Sequence, residues 1–271
     1  MLECLVNGEI SRHADADDRG LNYGDGLFET MAVLGGRPRF WQAHMDRLVE
    51  GCRRLFLDMP GQATLLREVQ TAAAGQPRCV VKILISRRSD GRGYASNGQR
   101  ASNRVVSAHT WPEGIEDLRD QGVSARTLEL RLAQQTALGG IKHLNRLEQV
   151  LAAMELQSTP GMEGILLDQD GHLISALSSN LFLVFGGNLL TPRMDRCGVR
   201  GVVRGLILRD FKPRCELRRI TADMLPEVDE AFLSNSVRGI VPLRAIDDLA
   251  WPVGPVTREL QAWFVRRAQI T

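Results

Sequence analysis

The chain carries almost no net charge. Lys and Arg number 34 against 32 Asp and Glu in 271 residues, a formal net charge of +2. That balance provides no electrostatic footprint for nucleic acid or an anionic membrane surface. The pairs Arg53-Arg54 and Arg218-Arg219 are short and sit beside apolar positions, as solvated faces do. Five cysteines occur, Cys4, Cys52, Cys79, Cys197 and Cys215, an odd number with no two at metal-ligand spacing. Neither a disulfide framework nor a metal site is expected, and thiols in a reducing compartment are the simple reading. The N-terminus lacks the basic-then-apolar pattern of a leader peptide. No apolar run is long enough to span a bilayer. No internal repeat or low-complexity tract is found. These absences lead us to expect a cytoplasmic protein that binds neither nucleic acid nor membrane.

What remains is ordinary globular material, 44% hydrophobic and 24% charged, long enough for one large domain or two small ones with real cores. Residues 1–10 form a short strand turning at Asn7-Gly8, a favoured hairpin pair. Residues 18–30 read Asp-Arg-Gly-Leu-Asn-Tyr-Gly-Asp-Gly-Leu-Phe-Glu-Thr. Their three glycines point to backbone held in special conformations. A strand over 27–34 turns at Gly35-Gly36. His44, Leu48, Cys52 and Leu55 recur at helical spacing, so 42–57 is expected to be an amphipathic helix, with Arg47 one step off its stripe. A second helix is expected over 63–74 and strands over 79–86 and 104–111. Residues 87–98 form a glycine-rich loop, and Pro112-Glu113-Gly114 breaks the pattern. Strands are expected over 123–132, 164–167 and 231–234, and helices from Gly201 to about 210 and over 255–269. The domain expectation is a smaller α/β domain over 1–111, a linker over 112–118 and a larger domain over 119–271 that carries Lys142.

Residues 139–150 read Gly-Gly-Ile-Lys-His-Leu-Asn-Arg-Leu-Glu-Gln-Val. Leu144, Leu147, Val150 and Leu151 recur at helical spacing, which puts Lys142 at a loop-to-helix junction. In a partly dry pocket its charged form is disfavoured, and the neutral amine is what forms a Schiff base. An isolated lysine is by default a solvated one, so its companions decide. Gly201-Val202-Val203 opens a helix where glycine permits close approach and the N-terminus favours an anion. Arg47 can supply a guanidinium that matches phosphate. Asn235-Ser236, at a strand end, can add donors.

In this order the pieces resemble the fold type IV pyridoxal-phosphate enzymes, the branched-chain and D-amino-acid aminotransferase superfamily. The resemblance runs from Asp18 to Ser236. It implies an α/β (α+β) fold of two domains, pyridoxal 5'-phosphate in the cleft between them, and a homodimer. It also implies that Lys142 is the Schiff-base lysine and that Arg47, Gly201, Val202, Val203, Asn235 and Ser236 hold the phosphate. Three details resemble the lyases of that superfamily that act on aminodeoxychorismate in folate biosynthesis. They are the block around Lys142, Ser86-Arg87 followed by Gly91-Arg92-Gly93-Tyr94, and Ser234-Asn235-Ser236. The resemblance implies that Arg92 and Tyr94 receive a substrate carboxylate, and Arg146 is a further candidate for the cofactor oxygen or a carboxylate. The implied reaction releases 4-aminobenzoate and pyruvate; the alternative is a D-amino-acid or branched-chain aminotransferase. One position departs from the family pattern. Where a glutamate normally meets the pyridine nitrogen, the block 174–182 has Ser175. A neutral hydroxyl leaves the ring a weaker electron sink, which disfavours transamination more than elimination.

Overall fold

The structure is a computed structural model that describes residues 1–88, 93–211 and 215–270. It divides into two compact units. The first is Met1–Pro112 with Ile141–Asn145; the second is Glu113–Gly140 with Arg146–Ile270.

In the first unit the elements are β1 (Cys4–Val6), β2 (Glu9–Ile10), α1 (Arg19–Tyr23), β3 (Gly26–Leu34), β4 (Arg37–Pro38), α2 (Trp41–Arg54), α3 (Gln62–Ala72), β5 (Arg78–Arg87) and β6 (Ser102–His109). The six strands form one antiparallel sheet, ordered β2-β1-β6-β5-β3-β4. Asn7-Gly8 and Gly35-Gly36 turn its hairpins at positive φ, as their residue types predict. Along β3, Leu27, Glu29, Met31 and Val33 are buried while Phe28 and Thr30 on the other face are half-exposed. The buried face of α2 is His44, Met45, Leu48 and Cys52. Truncating Met45 or Leu48, both fully buried, would cost about 2–5 kcal/mol.

One strand edge decides where the lysine goes. β5 pairs with β3 along its whole length, but β4 pairs only with Val33 and Leu34. The other edge of Gly26–Phe28 therefore has backbone groups that need partners. Residues 142–144 supply them: the Phe28 N–H donates to Lys142 O at 2.9 Å and the Leu144 N–H to Gly26 O at 3.0 Å. Lys142 thus belongs to the first unit, not to the second where the sequence reading placed it.

The second unit contains α4 (Ile115–Gln121), β7 (Val123–Leu132), α5 (Leu147–Glu155), β8 (Glu163–Asp168), β9 (Leu173–Ala176), β10 (Asn180–Phe185), β11 (Asn188–Pro192), α6 (Val202–Asp210), β12 (Cys215–Arg218), β13 (Glu230–Asn235), β14 (Gly239–Ile246), β15 (Leu249–Ala250) and α7 (Pro255–Ile270). Its sheet runs β12-β11-β10-β13-β14-β7-β8-β9, with β15 on β14. Strand β9 also pairs with β10 through Ser175 and Asn180, so the sheet curls back on itself. Leu181, Leu183, Leu233, Val241 and Leu243 are among its core side chains. The expected linker over 112–118 runs into α4, whose first residue, Ile115, is buried.

The helix after the lysine is shorter than the spacing predicts. α5 begins at Leu147, and Lys142 lies five residues earlier, next to the isolated bridge of His143 with Leu27. Leu144 packs into the first unit, while Leu147 is 76% exposed and Val150, Leu151 and Met154 are exposed as well. Among the described residues no helix is long and apolar enough to cross a membrane.

Candidate active site

The first unit holds a buried polar chain on β3 and α2. Glu29 is a carboxylate in an otherwise apolar row, and the register of β3 turns it toward α2. There it accepts from Arg47 Nε at 2.8 Å, Arg47 Nη2 at 2.5 Å and His44 Nδ1 at 2.6 Å. Burial alone would push the Glu29 carboxyl up, but Arg47 and then His44 draw it down to about 2. Burial lowers His44 against the pull of Glu29. A carboxylate only accepts, so a neutral His44 carries its proton on Nδ1. Its Nε2 is buried and, among the described residues, has no hydrogen-bond partner. Arg47 is therefore an oriented cation, three residues along α2 from the histidine that shares its carboxylate.

Phe28 precedes Glu29 and faces the opposite way. Lys142 Nζ lies 4.0 Å from the centroid of its ring, and Lys82 Nζ lies 5.1 Å from the same centroid. Lys142 and Arg47 thus attach to successive residues of one strand, and the charge of Lys142 is felt at His44. The glycine block makes room for the lysine segment. Gly24 has φ 64, and a Cβ there would fall 2.6 Å from Asn145 Oδ1. A Cβ at Gly26 would fall 2.2 Å from Ile85 O and 2.8 Å from Leu144 Cδ1. The sequence showed that these glycines were special without showing what presses on them.

Asp18, Arg19, Asp25 and Arg87 serve as supports. Asp18 caps α1 and also accepts from Ser86 Oγ and Asn103 Nδ2, each at 2.8 Å. Arg19 and Arg87 share the Asp25 carboxylate, and Arg19 donates to the carbonyls of Gly93, Tyr94 and Ala95. The backbone around Tyr94 is fixed by this contact, while its side chain is 89% exposed beside Tyr23. Arg92 lies outside the described residues. Arg146 is the N-cap residue of α5. Burial lowers its pKa to about 10, against Glu148.

In the second unit Gly201 is the N-cap of α6 and no side chain caps that helix. The first-turn amides of Val202, Val203 and Arg204 have no carbonyl one turn back, so this end suits an anion. A Cβ at Gly201 would fall 1.9 Å from Asn180 Oδ1, so only glycine allows Asn180 to sit there. Asn180 donates to Val199 O at 2.9 Å and pairs across the sheet with Ser234. Ser234 Oγ is buried and, among the described residues, has no hydrogen-bond partner. Arg204 is buried and donates to Thr191 Oγ1 and Pro192 O, at 3.2 and 2.8 Å.

Asn235 is engaged within its own turn. Its Oδ1 accepts from the Val237 and Arg238 N–H groups at 2.8 and 3.2 Å, and its Nδ2 donates to Ser178 O at 2.7 Å. Those bonds commit the side chain to shaping the turn, leaving Ser236 at its tip. Ser175 is buried on β9, and among the described residues no carboxylate bonds its hydroxyl. Asp168, Asp170 and His172 bring three ligand-type groups together. They are the closing bonds of a hairpin: Asp168 accepts from the Asp170 and His172 N–H groups, and Asp170 from Gln134 and Arg196.

These features fit pyridoxal 5'-phosphate on structural grounds. An uncapped helix N-terminus opening on glycine and an unpartnered buried hydroxyl at Ser234 match a phosphate. An oriented arginine and a lysine amine match the anion and the aldehyde. Sequence reasoning missed Glu29 as the holder of Arg47, and also Lys82 and Asn180. The one signal for Glu29 was a lone acid inside an apolar strand.

Comparisons with known proteins give the family. The family described as Amino-transferase class IV matches residues 26–246. An aminodeoxychorismate lyase from Vibrio harveyi is 32% identical, over 94% of this chain and 97% of its own. A branched-chain-amino-acid aminotransferase from Pseudomonas aeruginosa is 26% identical, over 95% of this chain and 90% of its own. The crystal structure of 4-amino-4-deoxychorismate lyase from Pseudomonas aeruginosa superposes with a TM-score of 0.90 at 41% identity, covering 96% of this chain and 97% of that one. A match over most of its length, on a fold and site of this kind, makes the chain a member of the class IV aminotransferase family.

Proposed function

We propose that the chain is a pyridoxal-phosphate-dependent lyase that converts 4-amino-4-deoxychorismate to 4-aminobenzoate and pyruvate in folate biosynthesis. The observation that carries this is Lys142, pinned by its own backbone to β3 beside Phe28, within the block that resembles those lyases. Full-length relatives named for that activity support the reading.

Arg47, the Gly201–Val203 turn and the 235–236 turn would hold the cofactor phosphate, and Lys142 would hold its aldehyde carbon. When bound, the cofactor supplies an electron-withdrawing ring conjugated to the substrate nitrogen. Lys142, as the free amine, would remove the hydrogen from ring carbon 4 of the substrate. The electron pair becomes a ring double bond as the neighbouring C–O bond to the enolpyruvyl group breaks. Lysine or a water returns a proton to the departing enol, which leaves as pyruvate, and the ring is aromatic. Tyr94 and Arg92 receive a substrate carboxylate, and Arg146 receives a second carboxylate or the cofactor oxygen. Incubation with aminodeoxychorismate tests the whole: absence of both 4-aminobenzoate and pyruvate would sink the assignment.

Ser175 faces the cofactor ring nitrogen as a neutral partner in this reading. Ser175→Glu would then strengthen the electron sink. Amino transfer from an amino acid to a 2-oxo acid should rise at least about tenfold, the equivalent of ~1.4 kcal/mol in the barrier. An unchanged rate would show that Ser175 does not meet the ring nitrogen.

The protein acts as a cytoplasmic homodimer in this reading. The exposed apolar face of α5, formed by Leu147, Val150, Leu151 and Met154, is a surface that water disfavours. Its five free cysteines suit a reducing compartment. Light scattering should return twice the chain mass; a monomer at micromolar concentration would refute the dimer.

A further inference from the structure

The turn that follows β13 is held from behind by a residue far away in sequence. Arg119, in the last turn of α4, donates from Nε to Arg238 O and from Nη2 to Val237 O, the latter at 3.2 Å. Its guanidinium carbon lies 5.6 Å from the centroid of the Phe264 ring on α7. α7 fixes Arg119 in turn. The Arg119 carbonyl accepts from Gln261 Nε2 at 2.6 Å and from Arg258 Nη1 at 3.4 Å, and Gln261 also reaches Ile240 O at 3.1 Å. Gly239 has φ 80, and a Cβ there would stand 2.9 Å from Phe264 and 3.2 Å from Arg119 Nε. The turn backbone therefore rests directly against the arginine.

The direction of these bonds matters for an anion. In a trans peptide the C=O and N–H point opposite ways. Drawing the carbonyls of 237 and 238 onto one cation turns the N–H groups of Arg238 and Gly239 the other way. The Arg238 N–H is taken by Asn235 Oδ1, as is that of Val237. Without Arg119, two carbonyl dipoles lose the charge that holds them, and their negative ends become free to swing toward the tip of the turn. A carbonyl oxygen beside a phosphate is repulsive, and in a poorly solvated site the repulsion is strengthened.

We propose that Arg119 is a positioning residue for the phosphate-binding turn, holding the Val237 and Arg238 carbonyls away from Ser236 so that their negative ends do not face the cofactor phosphate. This rests on the reading that residues 235–236 hold that phosphate. It places a determinant of cofactor affinity on α4, one residue past the segment that the sequence marked as a linker.

The test is a pair of binding titrations on the cofactor-free, full-length protein, one with pyridoxal 5'-phosphate and one with pyridoxal, which lacks the phosphate. Arg119→Met should weaken binding of the phosphorylated form about tenfold while leaving that of pyridoxal within about twofold. Arg119→Lys, which keeps the charge and one donor, should recover part of the loss. Gln261→Ala, which loosens Arg119 without removing it, should show a smaller loss of the same selective kind, and it serves if Arg119→Met does not fold. Equal loss for both ligands would mean general destabilisation and overturn the proposal, as would unchanged affinity for the phosphorylated form in folded Arg119→Met. A wild-type protein that binds both ligands equally well would overturn the phosphate reading itself, and this inference with it.

Discussion

Replacing Lys142 with alanine is expected to abolish formation of 4-aminobenzoate and pyruvate, together with the borohydride-reducible cofactor band. The size of the effect follows from two losses at one atom. General-base assistance alone is worth about 10²–10⁴-fold in rate, and the same amine anchors the cofactor, so a fall of at least about 10³-fold is expected. The fold should survive, because the bonds that dock this segment are made by its backbone: Phe28 N–H to residue 142 O, and Leu144 N–H to Gly26 O. Tm of the variant without cofactor should therefore match that of the wild type without cofactor. The chain has only three lysines, Lys82, Lys142 and Lys212. Peptide mapping after borohydride reduction should accordingly find the cofactor on the Lys142 peptide alone. Retained turnover in Lys142→Ala, or label on the Lys82 peptide, would contradict the assignment.

Glu29→Gln is expected to be the most damaging single change away from the lysine. It leaves the Arg47 guanidinium and the His44 N–H facing a neutral amide in a fully buried site. Removing one partner of a buried ion pair costs about 3–5 kcal/mol, on the order of 10 °C in Tm for a chain of this size. Cofactor affinity should fall as well, since Arg47 loses the contact that orients it. The pH dependence is diagnostic. The folded Glu29 carboxyl sits at about 2, below its ordinary value of 4.5. Its contribution to stability is then fully present above that ordinary value and is lost as pH falls toward 2. Denaturant titrations should show a gap between wild type and variant that is constant above about pH 5 and closes on acidification. A gap that persists unchanged down to about pH 2.5 would mean that the Glu29 charge is not what stabilises the pair.

The periodic elements were legible because their signal is local. Apolar spacing on 42–57 reports one face of α2, and the apolar run over 79–86 reports β5, whichever way the rest of the chain runs. Elements set by partners were not legible. α1 lies in the glycine block, and α4 was taken for a linker, because short helices of five and seven residues are held by contacts more than by propensity. The apolar positions after Lys142 suggested a buried helical stripe. Leu144 instead packs beside Gly26, while Leu147, Val150 and Leu151 face outward.

By itself the sequence determined the family and the glycines that mark tight backbone, and it singled out Lys142 and Arg47. Each of these depends on residue type and chain order, which are properties of the string. Only the tertiary structure decided what acts on them. The half-open edge of β3 drew Lys142 into the first unit. The register of β3 set Glu29 against Arg47 and His44. Arg119 closed on a turn more than a hundred residues downstream. Those pairings come from strand edges, register and helix packing, which bring together residues that no local pattern relates.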